Sequence, residues 1–314
     1  MTTPTKTIIR PQVEMMVEGL GFPEGPVAHA DGTVYVCDVH GGLVRRISGG
    51  VASIFVDLGG APNGLAIGPD EWLYVANNGG AMRWERKDDL LLSHGFEPDG
   101  FDARIERVHL RTGAVERILD QVDGHKLQAI DDLVFDATGG FWFTDLGRDG
   151  PRGRSYGGIY WSSADGAHCR EVFYPLVDGA NGIGLSPDGR TLYATEYGAG
   201  RLWAWSIEDS RILAKTDGHP HGGRLIWQAP DALLLDSLAV TASGNIVVAA
   251  QPAGVFAVIS PSGMHLASVY MPDGFPTNLC FDPNDSTAAY ATLSSTGRLA
   301  KLRWCEPGLR PAFN

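Results

Sequence analysis

The chain has 314 residues, 44% of them hydrophobic, with a formal net charge of −12 and a pI near 5.1. That is apolar material enough for a full core, and the acidic balance excludes binding to a phosphate backbone, which needs a basic face. No apolar run approaches the roughly 18 residues of a membrane span, and the opening MTTPTKTIIRPQVEMMVEG lacks the basic-then-apolar order of a secretion leader. A cytoplasmic protein is expected, with neither nucleic acid nor membrane as a partner, present as a monomer or small homo-oligomer.

In chain order, the short alternating segment QVEMMVEGL comes first. Six related copies follow: FPEGPVAHADGTVYVCDV, APNGLAIGPDEWLYVANN, AIDDLVFDATGGFWFTDL, ANGIGLSPDGRTLYATEY, LLDSLAVTASGNIVVAAQ and PTNLCFDPNDSTAAYATL. Each opens on a polar residue and an apolar run, turns on Gly, Asp or Asn, and returns as an alternating strand. GLVRRIS, GGIYWSS, GRLWAWSI, GVFAVIS and GRLAKLRW read as third strands. Several strands repeated at roughly 40 to 50 residues predict an all-β, six-bladed β-propeller of four-stranded antiparallel blades in one domain over 1–314. QVEMMVEGL is then the natural partner of GRLAKLRW, closing the ring from both ends of the chain.

The opening residues Glu24, Asn63, Asp131, Asn181, Asp236 and Asn278 follow at intervals of 39, 68, 50, 55 and 42 residues. The extra length after Asn63 reads as a charged loop, AMRWERKDDLLLSHGFEPDG, before the outer strands ARIERVHL and AVERILDQV. Cys37, Cys169, Cys280 and Cys305 have no zinc-like spacing and read as reduced, buried thiols. Trp203 and Trp205 read as packing between blades. His219 and His221 in GHPHGG have a chelating spacing, but their Gly- and Pro-containing connection points to surface exposure.

First strands line a propeller's channel, so the six opening residues are expected to ring one mouth. Glu24, Asp131, Asn181 and Asp236 then bring three carboxylates and an amide oxygen together. Such carboxylates raise one another's pKa unless a cation sits among them, and all-oxygen donors point to a hard divalent ion. Asn63, Asn278, Asp132 and Ser237 are candidates to support the ion or orient substrate. Turns after the second strands open on the same face and put His40, Asn78, Tyr197 and Gln251 in the wall, together with the segment from Arg148 to Tyr156. That segment, with its glycines and arginines, reads as a mobile lid carrying cationic groups. No GxSxG elbow or phosphate-binding glycine loop is present.

From about Phe22 to Trp304 the chain resembles the senescence marker protein (regucalcin), gluconolactonase and luciferin-regenerating enzyme family. The likeness rests on EGP with Glu24, ANG with Asn181, the Asp236-Ser237 pair, and AIDDLVFDATGGFWFTDLG, which is similar to the bacterial drug-responsive lactonase branch. The resemblance implies a six-bladed propeller with one divalent ion in the channel, calcium first, with magnesium, manganese or zinc as the other candidates. It implies ligands at Glu24, Asp131, Asn181 and Asp236, and hydrolysis of a small-molecule lactone, with Asp236 assigned here as acid and base. That branch has a second calcium site to which Asp123 would contribute, but Lys126 stands where a hydroxyl ligand is expected, so one ion is expected. The alternatives are a phosphotriesterase or other esterase on the same site, and a non-enzymatic calcium-binding propeller.

Overall fold

The computed structural model describes residues 6–80, 82–96, 100–150, 152–209, 212–214 and 222–314. His219 and His221 lie outside these. The fold is a six-bladed β-propeller, and each copy in the sequence supplies the first two strands of one blade. Blade 1 runs Pro23–Ala28, Val34–Asp38, Leu43–Ser48 and Val51–Asp57, each strand antiparallel to the last. Blades 2 to 5 repeat this order from Pro62–Ile67, Ile130–Phe135, Ala180–Leu185 and Leu234–Val240. In blade 6, Pro276–Phe281, Ala288–Leu293 and Arg298–Arg303 are completed by Val13–Val17, with Val13 opposite Leu302. The ring therefore closes from both ends as the sequence indicates. Thr7–Ile9 then adds to the outer edge of blade 5 in parallel, so the N-terminal segment stitches blades 5 and 6 together.

Packing follows from the two-residue period of the second and third strands, which present one face to each neighbouring blade. Trp142 and Trp161 of blade 3 share an apolar cluster with Leu185, Trp203 and Trp205 of blade 4. The expected inter-blade role of Trp203 and Trp205 is what the structure shows. The four cysteines are free, but only Cys37 is fully buried and Cys305 is exposed. Among the described residues no helix is long and apolar enough to cross a membrane.

Two insertions lie between second and third strands. The segment read as a loop in blade 2 is a hairpin, Met82–Lys87 with Leu90–Phe96. Its turn is made by Asp88 in the left-handed region at φ 54°, which Asp adopts more readily than most residues. Blade 3 carries a smaller hairpin, Arg148–Gly150 with Gly153–Ser155.

Candidate active site

All six first strands lose register with the second strand at the same point. The irregularities fall between Glu24 and Val27, Pro62 and Leu65, Ile130 and Leu133, Ala180 and Ile183, Leu235 and Leu238, and Pro276 and Leu279. A bulge re-aims the side chains within it, and here it carries the polar openers. Counted back from the apolar residue that restores register, Asn63, Asp131, Asn181 and Asp236 occupy one slot. Glu24 shares this slot: Pro23 pairs with Asp38 as Pro62 does with Asn77, and Val27 with Tyr35 as Ala66 does with Tyr74, so Glu24 stands in blade 1 where Asn63 stands in blade 2. Asn278 comes one residue later, in the slot that Asp132 and Ser237 fill in their blades, while Thr277 takes the opening slot of blade 6. The ring is therefore layered, where the sequence suggested six equivalent positions.

Hydrogen bonds agree with this layering. Asp132 Oδ1 accepts from the Leu133 N–H at 2.8 Å, and Asn278 Oδ1 accepts from the Leu279 N–H at 2.7 Å. Both residues line an apolar chamber of about 390 Å³ in the channel, bordered on its far side by Leu309 to Ala312 and Asn314. In the other layer, Asn63 Nδ2 donates to Asp131 Oδ2 at 3.2 Å and Gly25 N–H to Glu24 Oε2 at 2.8 Å. Ser237 N–H donates to Asp236 Oδ1 at 3.1 Å, and Gln251 Nε2 donates to Asp236 Oδ2.

Glu24, Asp131, Asn181 and Asp236 are all buried, none more than 9% exposed. Burial first, and then the Asp236 and Glu24 charges, raise the Asp131 pKa; burial and then Asp236 raise that of Glu24. Burial lifts Asp236 to about 7 against the opposing hydrogen bonds from Asn181, Gln251 and Ser237. Asp132 is likewise pushed to about 7 by burial. Carboxylates from blades 1, 3 and 5 thus share one field.

Two oxygens in this field have no donor: Asp131 Oδ1 and Asn181 Oδ1 are buried without a hydrogen-bond partner. An orphaned carboxylate oxygen and an orphaned amide oxygen beside two further carboxylates are the donor chemistry of a hard divalent cation. Among the described residues no three His, Cys, Asp or Glu side chains form a ligating cluster by themselves.

The sequence reading missed what holds these bulges. Thr144 Oγ1 accepts from the Asp132 N–H at 3.1 Å and donates to the carbonyl of Asn181. In the next blade, Thr195 Oγ1 accepts from the Gly182 N–H at 2.8 Å and donates to the Asp236 carbonyl at 2.9 Å. Each hydroxyl ties its own blade's bulge to the opening residue of the next blade. Thr292 holds the blade 6 bulge through the Asn278 N–H, and Ser294 Oγ donates to the Pro23 carbonyl, just before Glu24. The signal was present as a threonine recurring in FWFTD, YATEY and YATL. Thr195→Val removes both bonds while keeping the shape, leaving a buried N–H and a carbonyl unpaired. The expected cost is about 2 kcal/mol, read as a lower midpoint in denaturant unfolding.

The expected wall residues divide. His40, exposed, meets the Trp84 indole edge-on at 5.1 Å, and Phe22 lies 5.3 Å from the same ring. The blade 2 hairpin thereby reaches across to blade 1, and its second strand packs on the Ser294–Thr296 turn and on Arg148–Gly150. Asn78 is buried, accepting from the Gly80 N–H. Tyr156 is 40% exposed. Arg148 is not the free cationic group expected of a lid: its guanidinium lies over the rings of Phe96 at 4.2 Å and Phe101 at 4.0 Å and donates to carbonyls of Asn78, Gly80 and Gln128. Arg154 is likewise engaged, by Asp149 and the Leu146 carbonyl. The cover over this mouth comes from the blade 2 hairpin, with Arg148 bolting its base.

The family model for the SMP-30/gluconolactonase/LRE-like region matches residues 22–295. The chain belongs to the SMP-30/gluconolactonase/LRE-like family. Within it, the chain is similar to lactonase drp35 of Staphylococcus saprophyticus, 28% identical over 281 residues that cover 86% of this chain and 75% of the relative. Lactonase drp35 of Staphylococcus haemolyticus is 27% identical over 83% of this chain and 73% of its own. Among solved structures, a gluconolactonase from Xanthomonas campestris superposes with a TM-score of 0.73 at 21% identity, covering 93% of this chain and 89% of the other. A calcium-binding protein, regucalcin, from Agrobacterium tumefaciens gives 0.74 at 18% identity, over 98% of this chain and all of the other. Membership in the SMP-30/gluconolactonase/LRE-like family agrees with the resemblance carried by EGP, ANG and the Asp236-Ser237 pair.

Proposed function

We propose that this chain is a divalent-metal-dependent lactonase acting on a small-molecule lactone, calcium being the first candidate for the ion. The observation that carries the reading is the pair of buried, unpartnered oxygens on Asp131 and Asn181, set among the carboxylates of Glu24 and Asp236. Similarity to lactonase drp35 over 86% of the chain supports the lactone as substrate class. Glu24, Asp131, Asn181 and Asp236 would hold the cation. When bound, a hard cation supplies Lewis acidity to an acyl carbonyl and to water.

Asp236 takes the proton of the attacking water on its carboxylate and returns it to the alkoxide that leaves as the ring opens. Its two oxygens are already held, one by the Ser237 N–H and one by Gln251 Nε2, which fixes the orientation of the carboxyl through both steps. Gln251 has this duty in blade 5 alone. By register it matches Val39, Asn78, Leu146 and Tyr197, and the residues one place before those brace their own loops: Asp38 accepts from the Phe22 N–H, Asn77 from Ala61, Asp145 from Ala129 and Glu196 from Asp178. Asn63 orients Asp131 through its amide. Apolar burial beneath, lined by Leu133, Ile183 and Leu279, limits water on the channel side of these groups.

The test is turnover of lactones of varied ring size, sugar and aliphatic, alongside a paraoxon-like triester, each with calcium, magnesium, manganese or zinc. Lactone hydrolysis that disappears in chelator and returns with one of these ions is the expected result. Triester turnover without lactone turnover would replace the reading by a phosphotriesterase. Lactone turnover unchanged by chelation would remove the metal from it.

A further inference from the structure

In five of the six blades the residue that follows the second strand has a fixed backbone role. The N–H groups of Val39, Asn78, Leu146, Tyr197 and Ser294 each donate to the carbonyl of the residue leading into their blade's first strand, at 2.8 to 3.2 Å. These positions therefore stand in one circle at the rim of the polar mouth. Three of the five carry a polar side chain. Asn78 spends its amide on the Gly80 N–H and on Met82, and Ser294 spends its hydroxyl on the Pro23 carbonyl. Tyr197 is different: among the described residues its hydroxyl has no hydrogen-bond partner.

Two observations place that hydroxyl. The Tyr197 backbone is clamped between the two strands that carry Asn181 and Asp236, its N–H on the Gly179 carbonyl at 2.8 Å and its carbonyl receiving the Leu235 N–H at 3.2 Å. Its phenol also feels Asp236 of blade 5, Asp131 of blade 3 and Glu24 of blade 1 together. A group on blade 4 meets charges from three other blades only by facing the ring axis. The side chain is half-buried, so a ligand entering the mouth meets it.

We propose that the Tyr197 hydroxyl donates a hydrogen bond to the acyl oxygen of the bound lactone and holds that oxygen as negative charge develops on it. The inference rests on the lactonase reading above and assigns within it a residue that touches substrate. The proton stays on the phenol throughout: burial, followed by the charges of Asp236, Asp131 and Glu24, drives its pKa upward, so the group serves as a fixed neutral donor and neither as base nor as acid. Preorganised donors of this kind act mainly on the transition state, because they meet the oxygen without reorganising.

Tyr197→Phe keeps the ring and removes only the hydroxyl. On the lactone turned over fastest, kcat is expected to fall about 100-fold with KM nearly unchanged, and the unfolding midpoint is expected to stay at the wild-type value. A kcat close to wild type, or a loss confined to KM, overturns the assignment while leaving the lactonase reading intact. A second measurement does not need turnover: δ-valerolactam, which keeps the ring carbonyl but resists opening, is titrated calorimetrically into wild type and variant in the presence of calcium. Binding about tenfold weaker in Tyr197→Phe is expected. Equal affinities, or no binding to the wild-type protein, overturn the proposal even if no lactone is hydrolysed and the wider reading has failed separately.

Discussion

Asp236→Asn is expected to lower kcat for lactone hydrolysis by about 10³-fold, the scale of a lost general acid and base, while making the cation-free protein more stable. The two effects have one origin. Asp236 is buried with Asp131 and Glu24 in its field, so removing its charge relieves repulsion in the folded state, and the asparagine still fits between the Ser237 N–H and a reoriented Gln251 side chain. Steady-state kinetics and thermal unfolding in chelator read the two quantities on the same preparation. Full activity in Asp236→Asn would end the acid and base assignment. A fall in both activity and stability would mean that the substitution had damaged the fold.

The second large effect concerns pH. Asp236 and Asp132 each have a folded-state pKa of about 7, well above the value of about 4 expected in the unfolded chain. The folded protein therefore binds more protons than the unfolded one between these values, and its stability falls as pH rises through the window. In chelator the unfolding midpoint is expected to drop on the order of 5 °C between pH 5 and pH 7.5. Saturating calcium is expected to raise the midpoint at pH 7.5 and flatten the slope, since a cation supplies the charge that the lost protons had supplied. Differential scanning fluorimetry across pH, with and without divalent ions, measures both. A midpoint that climbs with pH in chelator, or that ignores calcium and magnesium alike, would show that the carboxylates do not share a cation.

Much of this architecture could be read from the residues because the meander repeats its grammar: an apolar first strand, a Gly or Asp turn and an alternating second strand survive in all six copies. Asp131, Asn181 and Asp236 were legible for the same reason. The offset of Asn278 was not, since a bulge adds residues without altering the surrounding pattern, and only the register shows which slot it fills. Arg148 looked like a free charge because its partners Phe96 and Phe101 lie about fifty residues upstream, and a cation over an aromatic face leaves no local trace. The hairpin of Met82 to Phe96 was hidden by its own surface: MRWERK is mostly charged and LLLSHGF does not alternate, so neither reads as a buried strand. Thr144, Thr195 and Ser294 were visible as letters, but their use as inter-blade ties depends on distances that only the closed ring provides.

Blade 6 joins Val13–Val17 to Arg298–Arg303, and this has a consequence for biosynthesis. During translation Val13–Val17 emerges before all six blades are made and waits for a mate that follows them in the chain. Until then the nascent product is an open crescent with two raw edges, and Glu24 has no wall behind it. The proposed cation would gain its full set of donors only once the circle is shut, so its binding energy would reward finished molecules and give nothing to open ones.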